Sequence, residues 1–313
     1  MKRLQQGVLY VVIGMFAALT LIPFAFVINN SFRTNNEMYH EFFGLPMAFK
    51  GMIHCFKVWD EPEVQIEVID EHGDTVELPP REAAWQFWLT ATKGYRLGWK
   101  VLRKYLINTL IVVIATATGV VLTASFSAYT LSRYRFFGHR AIFYYIIAAM
   151  MFPGVLTFVP SFMVVRELGL LNTYWVMILP YIAGGQVFAT FIFKSFFDGL
   201  PEELFESARI DGAGHLQIYR HVVIPLSKPV ISVVLIMTTF GAWNNFLWPF
   251  VTLPEGDLHP IASGLYVMAT SPFAQNFSTL FSAYMVSSIP LVIIFIYATK
   301  PFVEGVTSGA IKA

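Results

Sequence analysis

Pro201 to Pro229 reads PEELFESARIDGAGHLQIYRHVVIPLSKP, a charged stretch set between two long apolar runs. Pro201 is tolerated in a first helical turn, and Glu202 and Glu203 complement the positive end of a helix dipole. Leu204, Phe205 and Ala208 then fall at helical spacing on one side, Gly212 breaks the pattern, and Leu216, Tyr219 and Val223 repeat it. The spacing predicts two short amphipathic helices bent at Gly212, with an apolar face that needs a partner.

Around this stretch the chain is too apolar for a soluble domain. Only 13% of its 313 residues are charged and 56% are hydrophobic, where soluble domains run near a quarter charged. It reads as an all-α polytopic membrane protein. A net charge of +1 gives no reason to expect nucleic acid as a partner. The single cysteine, Cys55, permits no internal disulfide. No Cys/His cluster, P-loop or G-x-S-x-G motif is present, so neither catalytic nor metal-binding residues are expected, and no cofactor is expected in this chain.

Apolar runs at about 7–28, 105–130, 141–165, 174–193, 230–250 and 280–299 are long enough to cross a hydrocarbon core of roughly 30 Å as helices. They predict six transmembrane helices, with residues 1–28 as N-terminus and first span, and 29–104 as an outer loop. The core is expected at 105–300, with inner and outer loops at 194–229 and 251–279, and the tail at 301–313. Lys2, Arg3, Arg133, Arg135, Arg140, Lys194, Arg209, Arg220, Lys228, Lys300 and Lys312 fall on one side in tails and short loops, against Arg166 alone on the other. This bias predicts cytoplasmic termini and a cytoplasmic 201–229 stretch. Region 29–104 faces outward on that assignment. Within it, the runs 65–70 and 75–78 flank Glu71-His72-Gly73-Asp74, which predicts a small extracytoplasmic β-hairpin over 65–78. A lone hairpin is marginal in water, so it should pack on this chain near Trp85–Leu89, on a second subunit, or on a docked protein.

The six predicted spans hold no Asp, Glu, Lys, Arg or His. Carriers driven by protons place ionisable groups near the midplane, so the work must come from outside the membrane. Sodium coupling through backbone carbonyls leaves a secondary carrier as an alternative, and a structural or assembly protein is another. Asn244 and Asn245, with Trp243 and Trp248, offer neutral hydrogen bonds and ring faces of the kind a sugar requires. Such residues also serve as helix glue and interfacial belts. Pro153-Gly154, Pro160 and Pro180 with Gly184-Gly185 are expected to interrupt the third and fourth spans.

Glu206-Ser207-Ala208, Asp211-Gly212-Ala213 and Ile224-Pro225-Leu226 resemble the EAA loop of ATP-binding-cassette (ABC) importer permeases. Ser207 replaces the first alanine of that pattern, and Pro225 directly follows Ile224. Tyr105–Arg140, with Asn108-Thr109, Ala128-Tyr129, Arg133 and Phe136, is similar to a span and basic turn of maltose-type permeases. Gly241-Ala242-Trp243-Asn244-Asn245-Phe246 resembles their W-N-E-F segment with Asn245 in place of glutamate, and Val303–Ala313 resembles the tail of the MalG-like branch. The resemblance covers roughly 95–313 and leaves the hairpin outside.

What the resemblance implies is a type I ABC importer permease fold in a bacterial or archaeal inner membrane, translocating a sugar, oligosaccharide or another small solute. It implies a second permease subunit in a heterodimer, two ABC ATPase subunits that bind the ATP and Mg, an extracytoplasmic solute-binding protein, and a carbohydrate substrate. The ATPase would grip Leu204, Phe205, Glu206, Ser207, Ala208, Asp211, Gly212, Ala213, Leu216 and Tyr219, with Glu206 paired to a basic residue there. The outer segment from Thr252 to Asn276 would touch the binding protein.

Overall fold

The computed structural model describes residues 2–61, 63–69, 74–271 and 276–310. In chain order the elements are α1 (Lys2–Ser31), α2 (Asn35–His40), α3 (Met47–Lys57), β1 (Ile66–Ile69), β2 (Thr75–Leu78), α4 (Pro80–Arg133), α5 (His139–Met150), α6 (Gly154–Glu167), α7 (Trp175–Asp198), α8 (Glu203–Ile210), and α9 (His215–Ile218) leading into a π turn (Tyr219–Val223). They continue as α10 (Ile224–Leu226), α11 (Lys228–Asn244), α12 (Leu247–Thr252), α13 (Ile261–Thr270) and α14 (Phe277–Ala310).

Four of these, α1, α4, α7 and α14, are long and apolar enough to cross a membrane, and the number rises to six if each of two bent helix pairs counts as one span. The third expected span, 141–165, is one of the bent pairs: α5 and α6 meet at 102°. Pro153 is extended (φ −62°, ψ 128°) and disfavours helix in the residue before it. With 12 and 14 residues, each half rises only about 20 Å, so neither crosses alone. The expected fifth span, 230–250, is also corrected. Its helix stops at Asn244; Asn245 is extended (φ −75°, ψ 110°), and its side-chain oxygen accepts from Trp248 N at 3.3 Å to open α12. An asparagine side chain that bonds nearby backbone competes with helix continuation. Conversely, Pro180 and Gly184-Gly185 lie inside an unbroken α7.

The chain divides into two compact units, one running to Arg103 and including Leu265–Ile289, the other comprising Lys104–Gly264 and the chain from Pro290. In the first unit, β1 and β2 pair antiparallel with Ile66 opposite Leu78 and Val68 opposite Val76. Of the expected turn, Glu71, His72 and Gly73 lie outside the described residues. Ile66 and Val68 pack with Cys55 of α3, Ala83 of α4 and the partly buried Phe87, so one face of the hairpin is covered by its own chain while Ile69 and Val76 are exposed. A Cβ on Gly51 would meet the Phe87 ring at 2.4 Å, which is how α3 comes this close to α4. Burial pushes the Cys55 thiol up from its ordinary pKa. Arg33, fully buried, donates to Asn30 Oδ1 and to the carbonyls of Glu37, Glu41 and Phe42, folding the chain beyond α1.

In the second unit α4 and α7 lie against each other. A Cβ on Gly185 would stand 2.9 Å from Val120. Their contact opens onto a core of Val120, Ala124, Ala128, Ala189, Phe193 and Phe197, to which the segment after α7 adds Phe205, Ile218, Tyr219 and Val223. The 201–229 stretch is therefore built onto this core.

Candidate functional site: the elbow between α7 and α11

Helix α8 opens with Glu203 and Glu206 in its first turn, where carboxylates favour the positive helix end. It closes on a glycine stop. Gly212 has φ +78°, its N–H donates to Arg209 O at 3.0 Å, and Ala213 N–H donates to Ala208 O at 2.9 Å. These two bonds are the pair that ends a helix with a left-handed residue just past its cap, and glycine adopts that conformation without steric cost. Asp211-Gly212-Ala213 is thus a chain reversal with a physical requirement at its middle residue. Gly214 then opens α9, its N–H held by Gln217 Oε1 at 2.8 Å.

Beyond Ile218 the helix widens to a π turn, with Ile224 N–H bonding to Tyr219 O. Pro225 explains it. Proline lacks the N–H that would reach back to residue 221, and its ring presses on that carbonyl; one extra residue in the turn makes room. At Ser227, whose hydroxyl donates to Val223 O, the path bends by 77° into α11.

Both halves of the elbow are rooted in the same unit. Tyr219 Oη shares a hydrogen bond with Ser125 Oγ of α4 at 2.7 Å, and its ring meets those of Phe126 at 4.9 Å and Tyr129 at 5.4 Å. Phe205 lies beneath the guanidinium of Arg133, 3.8 Å from ring centroid to Cζ. Arg133 also pairs with Glu202 at 2.7 Å and donates to the carbonyls of Phe197 and, at 3.1 Å, Leu200.

This placement divides the ten residues expected to meet a partner. Phe205 and Tyr219 are buried in the chain's own core, a correction to their expected outward placement, and Ala208 and Ala213 are half-buried where they pack on it. Phe205 and Ala208 form the inward face of α8, and Tyr219 opens the π turn after α9. Leu204, Glu206, Ser207, Asp211, Gly212 and Leu216 are exposed. The sequence reading missed Ile210, the most exposed apolar residue of the elbow at 86%, with Leu216 at 65% and Leu204 at 40%. Its signal was present: Ile210 shares a helix face with Glu203, Glu206 and Ser207, an isoleucine on a polar stripe.

The four expected pathway residues are also separated. Trp243 is buried, and Trp248 is buried with its indole N–H on Val176 O at 2.7 Å and its ring edge-on to Phe158. Both are packing residues, a correction to their expected place. Asn244 is exposed and bonds its own helix at Phe240 O. Asn245 alone lines a cavity of about 400 Å³, with Thr116, Pro180, Tyr181, Gly184 and Gly185 among its walls. The hydroxyls of Thr116 and Tyr181 are buried there without a protein partner.

At the opposite end of this unit, Asn108 donates to the carbonyls of Asp257 and His259, both at 3.1 Å, and accepts from Tyr174 Oη at 2.7 Å. Thr109 Oγ1 accepts from Ile261 N–H at 2.6 Å. Lys104 pairs with Asp257 at 2.6 Å and holds that carboxyl below its ordinary pKa. Burial lowers the pKa of His259. These bonds pin the first part of the 251–279 segment, within which α13 forms; Pro272–Gln275 lie outside the described residues.

Residues 121–304 match the family described as binding-protein-dependent transport system inner membrane component. The chain is 33% identical over 67% of its length to the diacetylchitobiose uptake system permease protein NgcG of Streptomyces coelicolor, covering 70% of that protein. It is 32% identical over 69% of its length to the arabinooligosaccharides transport system permease protein AraQ of Bacillus subtilis, covering 75% of it. Its fold is shared, at a TM-score of 0.74 and 22% identity, with a chain in the crystal structure of a bacterial ABC transporter involved in the import of the acidic polysaccharide alginate. That likeness covers 96% of this chain and 97% of the other.

Proposed function

The chain belongs to the family of binding-protein-dependent transport system inner membrane components, and from that premise we propose that it is the permease subunit of an ABC importer for a neutral oligosaccharide, driven through the elbow by a separate ATPase. The single observation that carries this reading is the two-faced elbow. Its inner face is rooted in α4 and α7 through Tyr219, Phe205 and Arg133, and its outer face offers Leu204, Ile210 and Leu216 among charges. A segment so fixed to the bundle and so open on its outer side suits transmission of a push. The chain itself is read as non-catalytic. ATP and Mg belong to the partner.

The oligosaccharide follows from the relatives' substrates together with the uncharged walls of the Asn245 cavity. We place the elbow and both termini on the cytoplasmic side by the basic-residue bias. A second permease would complete the pathway, and an extracytoplasmic binding protein would meet the 251–279 segment. The test is reconstitution of the permease pair with its ATPase and binding protein in vesicles, using labelled diacetylchitobiose and arabinotriose. Uptake of either should require ATP and the binding protein. Uptake in vesicles lacking ATP would make the chain a secondary carrier and end this reading.

A further inference from the structure

We propose that Arg133 is a positioning residue for transport: it ties the elbow to the ends of α4 and α7, so that a push on α8 moves both helices as one body. The inference deepens the functional reading and rests on it.

The geometry is specific to an arginine. Arg133 is the last residue of α4, and its side chain is only 10% exposed. One nitrogen of the guanidinium pairs with Glu202 at 2.7 Å, immediately before α8. The other donates to the carbonyls of Phe197 and Leu200 at the end of α7, where carbonyls lack helical partners and a cation is favoured. The flat of the group rests on the Phe205 ring. A lysine could not do all of this, because a single ammonium lacks the planar fork that faces several acceptors while stacking on a ring. Next to it, Ser132 Oγ donates to Asp198 at 2.6 Å, and Lys194 pairs with the same carboxylate at 2.6 Å, so the ends of α4 and α7 are laced twice.

The other end of the elbow is built differently. It reaches α11 through a π turn, a proline and a 77° bend at Ser227, and its tie there is apolar, with Val230 and Val234 of α11 sharing the core of Ile218, Tyr219 and Val223.

The experiment uses the complete importer in vesicles and reads labelled diacetylchitobiose or arabinotriose accumulated per ATP hydrolysed, normalised to assembled complex. Arg133→Gln should lower that ratio at least tenfold, and Arg133→Lys at least threefold. A ratio unchanged in assembled Arg133→Gln complex overturns the inference, as does a loss of assembled complex with the ratio of the surviving fraction intact. If Arg133→Gln does not assemble at all, Arg133→Lys decides on the same ratio. Absence of ATP-driven uptake by the unmodified importer would instead defeat the functional reading and take this inference with it.

Discussion

The elbow at 201–229 and region 29–104 are both charged segments between apolar helices, and each forms small elements that could not stand alone. In region 29–104 the strands bury Ile66 and Val68 against Cys55 and Ala83 of the same unit, and Ile69, Phe43 and Trp85 stay exposed. The elbow covers only one side. Phe205, Ile218 and Tyr219 go inward, and Ile210 and Leu216 are left out. The hairpin is thus rooted on small neighbouring elements, α3 and the start of α4, whereas the elbow is rooted on the long helices α4 and α7 and keeps Ile210 and Leu216 bare among charges.

The sharpest way to break the comparison is Gly212→Val. No atom lies within 4 Å of the Cβ such a residue would carry, yet φ is +78°, so the penalty is conformational and not steric crowding. Uptake in the assembled importer should fall at least about tenfold, and Gly212→Asn, which tolerates the left-handed region, should restore part of it. Next in size, Phe205→Ala should cost about 3 kcal/mol of stability as a buried aromatic, read as a lower unfolding midpoint. Ile210→Ala should change stability by less than about 0.5 kcal/mol while weakening ATPase retention severalfold on purification. If the two exchanged effects, the assignment of inner and outer faces would be reversed.

Val68→Ala probes the other region. Removing two buried methyl-sized groups there should cost about 1.5 kcal/mol, seen as faster hydrogen exchange in β1 and β2, with sugar moved per ATP unchanged. The smallest effect concerns His259. Burial lowers its pKa in the fold, so the neutral ring is the form the fold favours. The stability it supports is complete above the ordinary histidine value near 6.5 and is lost as pH falls below it toward the lowered pKa. The hydrogen-exchange protection factors over 257–264 should therefore fall modestly between pH 7.5 and 5.5, and His259→Gln should flatten that dependence.

Much of the elbow was legible because backbone requirements leave residues behind. A glycine stop at Gly212 and a proline at 225 mark turns whatever surrounds them. The direction of each helix face was not legible. Phe205, Ala208 and Tyr219 are spaced as an amphipathic stripe, and spacing alone does not tell whether a stripe meets the chain's own core or a partner. The core that claims them sits on α4, some 80–100 residues earlier in the chain. The strands β1 and β2 were visible in their alternation, and the cover of their buried face was among the alternatives. Helix breaks were the hardest to read. Pro153 bends the chain and Pro180 does not, because a proline inside a packed helix can have its lost bond tolerated while one preceded by a helix end cannot continue it. At Asn245 the break comes from a side chain capping the next helix, which hydropathy does not register.

The most direct test of the gripped elbow is proximity. On a Cys55→Ser background, single cysteines introduced as Ile210→Cys, Leu216→Cys and Phe205→Cys would be treated with a short thiol cross-linker in the assembled importer. The first two should join this chain to the ATPase, with yields that change when ATP is bound, and the third should not react. ATP-driven uptake in an importer whose elbow gives no cross-link to the ATPase from either exposed position would contradict the account.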